Sequence, residues 1–195
     1  MTESPQLILI LGGARSGKST FAERLAAQRG TRITYLATAT PDDDEMAERI
    51  AKHQAERSLA WRTVECPLDP AVAIRAHAHE TDCFLLDCAT LLVSNLLVTG
   101  NSPGEETVRR ALDALLTAYH EAGTDLLIVS NEVGLGLVPE YPLGRLYRDV
   151  LGRFNQQAAA AADAVYFLIA GLPLELKSLA CSPLTISPLK GNNDG

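Results

Sequence analysis

The feature that most constrains this chain is the stretch LILILGGARSGKST, residues 7–20. Its apolar start is typical of a strand that is buried on both faces of a parallel sheet. Gly12, Gly17, Lys18 and Ser19 then match the spacing G-x-x-x-x-G-K-[ST] of a phosphate-binding loop. A helical pattern follows directly, so the motif has the strand before it and the helix after it that such a loop requires.

A loop of this type binds phosphate mainly through its backbone. Glycines permit conformations that a β-carbon would obstruct, so successive N–H groups turn inward and form an anion-binding nest. The N-terminus of the following helix adds its partial positive charge. Lys18 is expected to neutralise the β- and γ-phosphates of a nucleotide, and the Ser19 hydroxyl to ligate Mg²⁺. The alternative, a glycine turn with a surface lysine, leaves the flanking strand and helix unexplained.

Length and composition are those of one globular domain. The chain has 195 residues, of which 47% are apolar and 21% charged, and such a chain can bury a full core. We expect residues 1–195 to form a single nucleotide-binding domain, with a loosely held polar tail from about residue 178 onward. The net charge is −7 without a cluster of Lys and Arg, so nucleic acid is not expected as a partner.

The sequence also bears on the compartment. The first residues lack the basic flank and apolar core of a signal peptide. The apolar stretch 84–98 is short and contains Asp87 and Asn95, so membrane insertion is not expected. The four cysteines form no C-x-x-C pair, which gives no indication of a zinc or redox motif. We therefore expect a cytoplasmic protein with reduced thiols.

Apolar strand-like runs alternate with helical patterns along the chain. After the first strand, further strands are predicted at residues 32–39, 61–66, 83–87, 126–130 and 165–169. Helices are predicted at residues 18–29, 41–57, 71–79, 91–97, 105–121 and 143–163. This alternation indicates an α/β fold with a mainly parallel central sheet and helices on both faces.

Polar residues follow several of these strands at the point where they end. The carboxyl ends of parallel strands meet at one edge of a sheet, where ligands bind. Residues 12–19, Thr38, Asp87, Asn131 and Glu132 should therefore line one crevice. Asp87 is a candidate for holding Mg²⁺, directly or through water. The alternative for Asp87 is an N-cap of the helix that follows it.

One histidine lies on the apolar side of a predicted helix. On the helix 41–57, Met46, Ile50 and His53 are spaced i, i+4 and i+7, which places them in one stripe. His53 should therefore face the protein body. From spacing alone, a core or boundary histidine is favoured over a functional one.

Seven blocks of the sequence carry a resemblance to a known family. They are GGARSGKS (12–19), YLATAT (35–40), DDEMAERIAKH (43–53), WRTVEC (61–66), LLDCATLLVSNLL (85–97), SNEVGLGLVPE (130–140) and GRLYRDVLGRFNQQAAAAAD (144–163). Together they resemble the bifunctional adenosylcobinamide kinase/adenosylcobinamide-phosphate guanylyltransferase family of cobalamin biosynthesis. The phosphate-binding loop alone is unspecific. The block that ends at His53, followed by WRTVEC and NEVGLGLVP, is specific.

The resemblance implies a RecA-like P-loop fold and assembly as a homotrimer. It also implies two reactions. In the first, ATP or GTP phosphorylates the aminopropanol hydroxyl of adenosylcobinamide. In the second, GTP transfers GMP to that phosphate, which releases pyrophosphate and gives adenosylcobinamide-GDP. The expected partners are therefore small molecules, namely adenosylcobinamide, GTP and ATP, with Mg²⁺ as the cofactor.

Site residues are implied in the same way. In the family, a histidine on the helix after the second strand becomes guanylylated, and some members have two adjacent histidines there. Lys52 occupies the first of these positions here, which leaves His53. The implied catalytic residues are His53 and Lys18, and the implied metal ligands are Ser19 and Asp87. The implied nucleotide contacts are Gly12, Gly13, Ala14, Arg15, Ser16, Gly17, Lys18, Ser19, Ala37, Thr38, Ala39, Gln54, Ala55, Glu56, Arg57, Glu65 and Asp87.

The residues considered without the resemblance leave two other functions open. One is a P-loop kinase for a small molecule of another pathway, in which His53 is structural. The other is a P-loop ATPase that acts on a protein partner.

Some family members have Glu at the position of Asp87, so the shorter side chain of Asp87 is expected to reach Mg²⁺ through a water molecule. Glu132 is a candidate for the base of the kinase step.

Overall fold

A mainly parallel sheet forms the centre of the molecule. The structure, a computed structural model, describes residues 4–40, 60–99 and 104–180. Within them the strands are β1 (Leu7–Gly12), β2 (Ile33–Ala37), β3 (Arg62–Glu65), β4 (Cys83–Asp87), β5 (Asp125–Asn131), β6 (Ala164–Ile169) and β7 (Leu172–Glu175). Their order in the sheet is β3-β2-β4-β5-β1-β6-β7. All neighbouring strands are parallel except β6 and β7, which are antiparallel.

Helices cover both faces of this sheet. They are α1 (Lys18–Arg29), α2 (Pro70–His77), α3 (Ala89–Thr99), α4 (Glu105–Ala122), α5 (Pro142–Ala161) and α6 (Leu176–Leu179), with a 3₁₀ turn at Ala78–Glu80 after α2. Ile8 and Ile10 of β1 pack in one cluster with Ala22 and Ala26 of α1. Leu7, Leu9 and Leu11 pack on the opposite face, in a cluster with the apolar residues of α2 to α5. The predicted α/β class, with a mainly parallel central sheet and helices on both faces, is confirmed.

The central position of β1 explains its uninterrupted apolar sequence. It lies between β5 and β6, and all of its residues are buried. Successive side chains of a strand point to opposite faces, and both faces here are covered by helices. Every position of β1 therefore faces apolar neighbours, which is the reason that the sequence shows a continuous run and no alternation.

The end of the described chain differs from the sequence-based expectation. No strand was predicted after β6, yet the chain turns back at Ala170 and Gly171 and pairs as β7. These residues have φ angles of 51° and 81°, as a two-residue hairpin turn requires. Ser178, where the loose tail was expected to begin, lies in α6. The predicted helix 41–57 and the tail from residue 181 lie outside the described residues.

The described parts of the chain contain no helix that is both long and apolar enough to span a bilayer.

Candidate active site

The loop between β1 and α1 has the shape expected of a phosphate-binding loop. A β-carbon on Gly12 would lie 2.5 Å from Ser16 Oγ and 2.8 Å from the carbonyl oxygen of Leu168, so only glycine fits there. Gly17 directly precedes α1 and has a φ of 90°, a conformation that side chains rarely adopt. The amide of Ser16 donates to the carbonyl of Gly13 at 3.3 Å, which closes the loop on itself.

The charged end of the Lys18 side chain lies over this loop. It is the first residue of α1, and its Nζ donates to the carbonyl oxygen of Gly13 at 3.0 Å. The charge of Lys18 also acts on Cys88, the residue that directly follows Asp87 at the end of β4. Burial, followed by the nearby Asp87 carboxylate, raises the pKa of the Cys88 thiol to about 11, while Lys18 acts in the opposite direction. Lys18 and Asp87 therefore both act on the half-buried Cys88 thiol.

The carboxyl ends of the strands meet at one edge, as predicted. Ala37 of β2 is level with Asp87 of β4 and with Glu65 of β3. Asp87 is level with Val129 of β5, and Gly12 of β1 is level with Asn131 at the end of β5. The phosphate-binding loop, Asp87 and residues 37–39 thus share one edge of the sheet.

Glu65 lies at the same edge but far from the loop. Four strand spacings separate β3 from β1, which at about 4.8 Å each amounts to about 19 Å. Glu65 is also exposed. Its position suits the end of a bound nucleotide that is remote from the phosphates, or another reactant, and not the phosphates themselves.

Thr38 has a structural contact that its sequence context did not indicate. Its hydroxyl donates to the carbonyl of Cys88 at 2.8 Å and accepts from the Cys88 amide at 2.9 Å. Its own carbonyl accepts from Asn95 Nδ2 at 2.9 Å. The side chain of Thr38 is fully buried. Thr38 therefore ties the end of β2 to the end of β4, which fixes the position of the neighbouring Asp87.

The oxygen atoms at this edge suit a magnesium ion. Asp87 is half-buried, and its carboxylate has no hydrogen bond or ion pair with any described residue. Ser19, in the first turn of α1, adds a hydroxyl. No group of three or more His, Cys, Asp or Glu side chains suited to a metal occurs in the described residues. A carboxylate and a hydroxyl leave room for phosphate oxygens and water, which is how Mg²⁺ is usually held beside nucleotides.

Glu132 lies beside the loop, but its side chain contacts the backbone of its own segment. Its amide donates to the carbonyl of Gly12 at 3.1 Å, and its carboxylate accepts a hydrogen bond from the amide of Gly134. This arrangement stabilises the start of the segment after β5. The position of Glu132 keeps it as a candidate base for the kinase step, as the sequence suggested.

One element of the site was missed by the sequence analysis. The turn between β6 and β7 packs on the phosphate-binding loop, since Gly171 N donates to the carbonyl of Ser16 at 2.9 Å. A β-carbon on Gly17 would lie 3.3 Å from Gly171 Cα. The available signal was Gly171 between two apolar runs, since a glycine at such a break indicates a turn.

His53 and residues 54–57 lie outside the described residues. The sequence-based assignment of His53 as the guanylylated residue, and of Gln54, Ala55, Glu56 and Arg57 as nucleotide contacts, therefore stays a prediction.

Other charged groups belong to the surface. Arg62 forms a two-pronged ion pair with Glu80 at 2.7 and 2.8 Å and contacts His77 Nδ1 at 2.6 Å. The Arg62 guanidinium, followed by His77, lowers the pKa of Glu80 to about 2. Arg153 pairs with Glu105 at 2.7 Å. These charged side chains therefore form ion pairs with one another on the surface, away from the phosphate-binding loop.

Comparison with known proteins agrees with the geometry. The family model described as CobU, cobinamide kinase / cobinamide phosphate guanyltransferase, matches residues 8–176. The bifunctional adenosylcobalamin biosynthesis protein CobP of Pseudomonas aeruginosa is 46% identical over 169 residues, which cover 87% of this chain and 96% of the relative. The bifunctional adenosylcobalamin biosynthesis protein CobU of Salmonella typhimurium is 40% identical over 181 residues, covering 88% and 99%.

Among solved structures, the KaiC-like protein PH0186 of Pyrococcus horikoshii aligns with a TM-score of 0.49 and 16% identity, covering 84% of this chain and 71% of that one. The family match extends over the phosphate-binding loop, the strand that ends at Asp87 and the segment after β5. The chain therefore belongs to the cobinamide kinase / cobinamide phosphate guanyltransferase family.

Proposed function

We propose that this enzyme phosphorylates adenosylcobinamide with ATP or GTP and then transfers GMP from GTP to the product. The observation that carries the proposal is the phosphate-binding loop at the end of β1, with Lys18 over it and Asp87 at the same edge. Family membership supplies the substrate class. The products are adenosylcobinamide-GDP and pyrophosphate.

In the kinase step, the loop and Lys18 position the triphosphate and neutralise its charge. Phosphoryl transfer requires little covalent help from the protein, because placement and charge stabilisation supply most of the catalysis. When bound between Ser19 and Asp87, Mg²⁺ would neutralise charge on the phosphate oxygens. The donation from Lys18 Nζ to Gly13 keeps the lysine pointing at the loop before nucleotide arrives.

In the guanylyl transfer, His53 is the proposed nucleophile. A neutral imidazole nitrogen attacks the α-phosphorus of GTP, and pyrophosphate leaves with the electron pair of the α–β bridging bond. A histidine needs no base to remove a proton before attack, and it is largely neutral near pH 7. The phosphate of the corrinoid then takes GMP from the phosphoramidate, which returns His53 to its neutral form.

The proposal extends to the assembly. By family resemblance the protein acts as a homotrimer in the cytoplasm. An exposed apolar segment after β5 supports the contact between subunits. Leu135 is 82% and Leu137 97% exposed, and Val138 and Tyr141 are exposed beside them. A monomer rarely presents a cluster of large apolar side chains to water, so a second copy that covers them would be favourable.

The test is covalent labelling with α-labelled GTP and Mg²⁺. The wild-type protein should acquire one acid-labile, alkali-stable GMP label, and His53→Ala should acquire none. His77→Ala is the matched control, since His77 contacts Arg62 on the surface and its loss should leave labelling intact. Normal labelling of His53→Ala would exclude this histidine as the nucleophile.

The kinase reaction is measured in parallel. His53→Ala should still phosphorylate adenosylcobinamide, because the γ-phosphoryl transfer uses the loop and not the imidazole. A wild-type protein that phosphorylates another small molecule, and neither labels with GMP nor accepts adenosylcobinamide, would support the alternative of a P-loop kinase from a different pathway.

A further inference from the structure

The strand between the phosphate-binding loop and the strand of Asp87 ends in a polar side chain without an assigned role. In the sheet order, β5 separates β1 from β4. Its last residue, Asn131, is level with Gly12, at the start of the loop. The neighbouring strand on its other side ends at Asp87. Asn131 thus stands between the two groups expected to hold the phosphates and the metal.

The backbone of Asn131 is fixed on both sides. Its amide donates to Thr90 Oγ1 of α3 at 2.8 Å. Its carbonyl accepts from Asn155 Nδ2 of α5 at 3.0 Å. The next amide, that of Glu132, donates to the carbonyl of Gly12 at 3.1 Å. Two helices and the loop therefore hold this residue in one position, as a preorganised catalytic group requires.

The side chain of Asn131 has no such partners. Neither atom of its carboxamide makes a hydrogen bond to any residue in the ranges 4–40, 60–99 and 104–180. The residue is half-buried, and its polar atoms are not sealed in the core. A carboxamide offers two N–H donors. The backbone is thus tightly bound while the donors remain available to a ligand.

The carboxamide also lies on the correct face of the sheet. Val129, two residues earlier on β5, packs in the cluster that contains Ala22 and Ala26 of α1. Because strand side chains alternate, Asn131 belongs to that same face. Leu85 of β4 is in this cluster too, so Asp87, two residues later, shares the face. This is the face on which α1 begins, at Lys18.

We propose that Asn131 is a catalytic residue of the kinase step, whose Nδ2 donates a hydrogen bond to an oxygen of the γ-phosphoryl group during its transfer. This inference rests on the proposed function. The γ-phosphoryl is the group that Lys18 and the metal are expected to share, and Asn131 stands between their positions. Here the hydroxyl oxygen of adenosylcobinamide forms a bond to the γ-phosphorus, and the bond from that phosphorus to the β–γ bridging oxygen breaks. The nucleoside diphosphate leaves with the electron pair, and the hydroxyl proton passes to the base of this step, for which Glu132 is the candidate.

The hydrogen bond from Asn131 to the γ-phosphoryl group should contribute less to the rate of guanylyl transfer. The reacting phosphorus is then the α-phosphorus, and the γ-phosphoryl stays attached to the leaving pyrophosphate. Charge changes most at the group that is transferred, so a donor placed at the γ-phosphoryl assists the kinase step selectively. A merely structural role of Asn131 would instead affect both reactions together.

The experiment compares Asn131→Ala and Asn131→Leu with the wild type in both reactions. Loss of one preorganised donor typically lowers kcat by about 100-fold or more, and we expect that loss in adenosylcobinamide phosphorylation. The KM for the nucleotide and the rate of GMP labelling should stay within about threefold of wild type. Asn131→Leu preserves the approximate shape of the side chain, removes the donor and adds no charge beside the phosphates, so it decides the question if Asn131→Ala fails to fold.

Ser130→Ala is the matched control. Ser130 is the preceding residue of β5, fully buried, and its Oγ has no hydrogen-bond partner among the described residues. Its kinase rate should equal that of wild type. Wild-type kinase kcat in both Asn131 variants, or equal losses in both reactions, would overturn the role of Asn131. A wild-type enzyme unable to phosphorylate adenosylcobinamide would instead overturn the proposed function.

Discussion

The amide nitrogen of Gly171 donates a hydrogen bond of 2.9 Å to the carbonyl oxygen of Ser16. This bond joins the turn between β6 and β7 to the phosphate-binding loop, across 155 positions of the chain. The donor comes from outside the loop, so the bond to the Ser16 carbonyl uses none of the loop amides that are expected to bind phosphate. The shape of the loop therefore depends on the hairpin as well as on its own glycines.

Replacement of Gly171 by alanine should weaken this arrangement. The φ of 81° at Gly171 is unfavourable for a residue with a side chain, although the β-carbon itself would meet no atom within 4 Å. We expect the free energy of unfolding to fall by about 1 kcal/mol, with a weaker affinity for nucleotide. Urea unfolding and nucleotide titration measure the two effects.

Gly152→Ala is the control for Gly171→Ala, and its effect on stability should have the opposite sign. Gly152 lies within α5, and its β-carbon would also meet no atom within 4 Å. In a helix, alanine is preferred over glycine by about 1 kcal/mol, so this variant should be more stable than wild type. Equal effects of Gly171→Ala and Gly152→Ala would contradict the conformational explanation.

Gly12→Ala should disrupt the loop by steric conflict. The new β-carbon would lie 2.5 Å from Ser16 Oγ and 2.8 Å from the Leu168 carbonyl. Such overpacking typically costs about 1–3 kcal/mol, and the displaced loop should bind nucleotide poorly. Gly13→Ala provides the comparison for stability, because no atom lies within 4 Å of its β-carbon. Thermal unfolding of both variants should show a clear loss for Gly12→Ala alone.

Thr90→Val should affect the site through Asn131. The valine has nearly the shape of threonine but cannot accept the hydrogen bond from the Asn131 amide, now 2.8 Å long. A buried N–H group without an acceptor costs about 1–3 kcal/mol. Kinase kcat should also fall, since Asn131 is no longer held in place. The measurement combines chemical unfolding with the phosphorylation assay.

Thr90→Ser distinguishes the contribution of the hydroxyl group from that of the methyl group. Serine retains the acceptor and loses one methyl, worth about 1 kcal/mol or less. Its kinase rate should remain close to wild type. If Thr90→Ser were as slow as Thr90→Val, packing of the methyl group and not the hydrogen bond would position Asn131.

Asp82 should contribute stability that depends on pH. Its carboxylate accepts from the amides of Thr31 and Arg32 at 3.1 and 2.9 Å and pairs with the Arg32 guanidinium. The Arg32 side chain first, and then these amides, lower the pKa of Asp82 to about 2. In the unfolded chain the pKa is about 3.9. The contribution is therefore complete above about pH 4 and is lost as the pH falls toward 2.

Asp82→Asn removes this charge and replaces one of the two acceptor oxygens by an amide donor. At pH 7 the variant should unfold about 1–2 kcal/mol more easily, because hydrogen bonds to a charged group are lost. The difference from wild type should narrow as the pH falls from 4 to 2. Asp113→Asn is the surface control, with an expected effect below about 0.5 kcal/mol. Urea unfolding at several pH values tests the trend, and a difference that stays constant with pH would refute it.

The sequence predicted the parts of the fold that local patterns determine. The apolar run of β1, the loop glycines and the start of α1 at Lys18 agree with the structure. The helix predicted at 71–79 ends as an α-helix at His77 and continues as a 3₁₀ turn, a difference of the size that helix ends usually show. Apolar periodicity and glycine spacing are strong signals because they reflect burial and backbone geometry directly.

The parts that escaped prediction depend on distant contacts. β7 contains Pro173 and mostly exposed residues, and it exists because it pairs with β6 at the edge of the sheet. The hydroxyl of Thr38 was expected near the ligand, and its buried contact with Cys88 involves a residue 50 positions away. Likewise, the bonds that hold Asn131 come from α3 and α5. Local sequence does not encode these partners.

The placement of β1 has a consequence for synthesis on the ribosome. β1 emerges from the ribosome before both of its partners in the sheet, β5 and β6, which are separated from it by more than half of the described chain. The carbonyl of Ser16 meets its donor only after residue 171 has left the exit tunnel. β1 must therefore remain unpaired and apolar until β5 and β6 have been made. Competence to hold a nucleotide arrives only when these later strands have paired with β1.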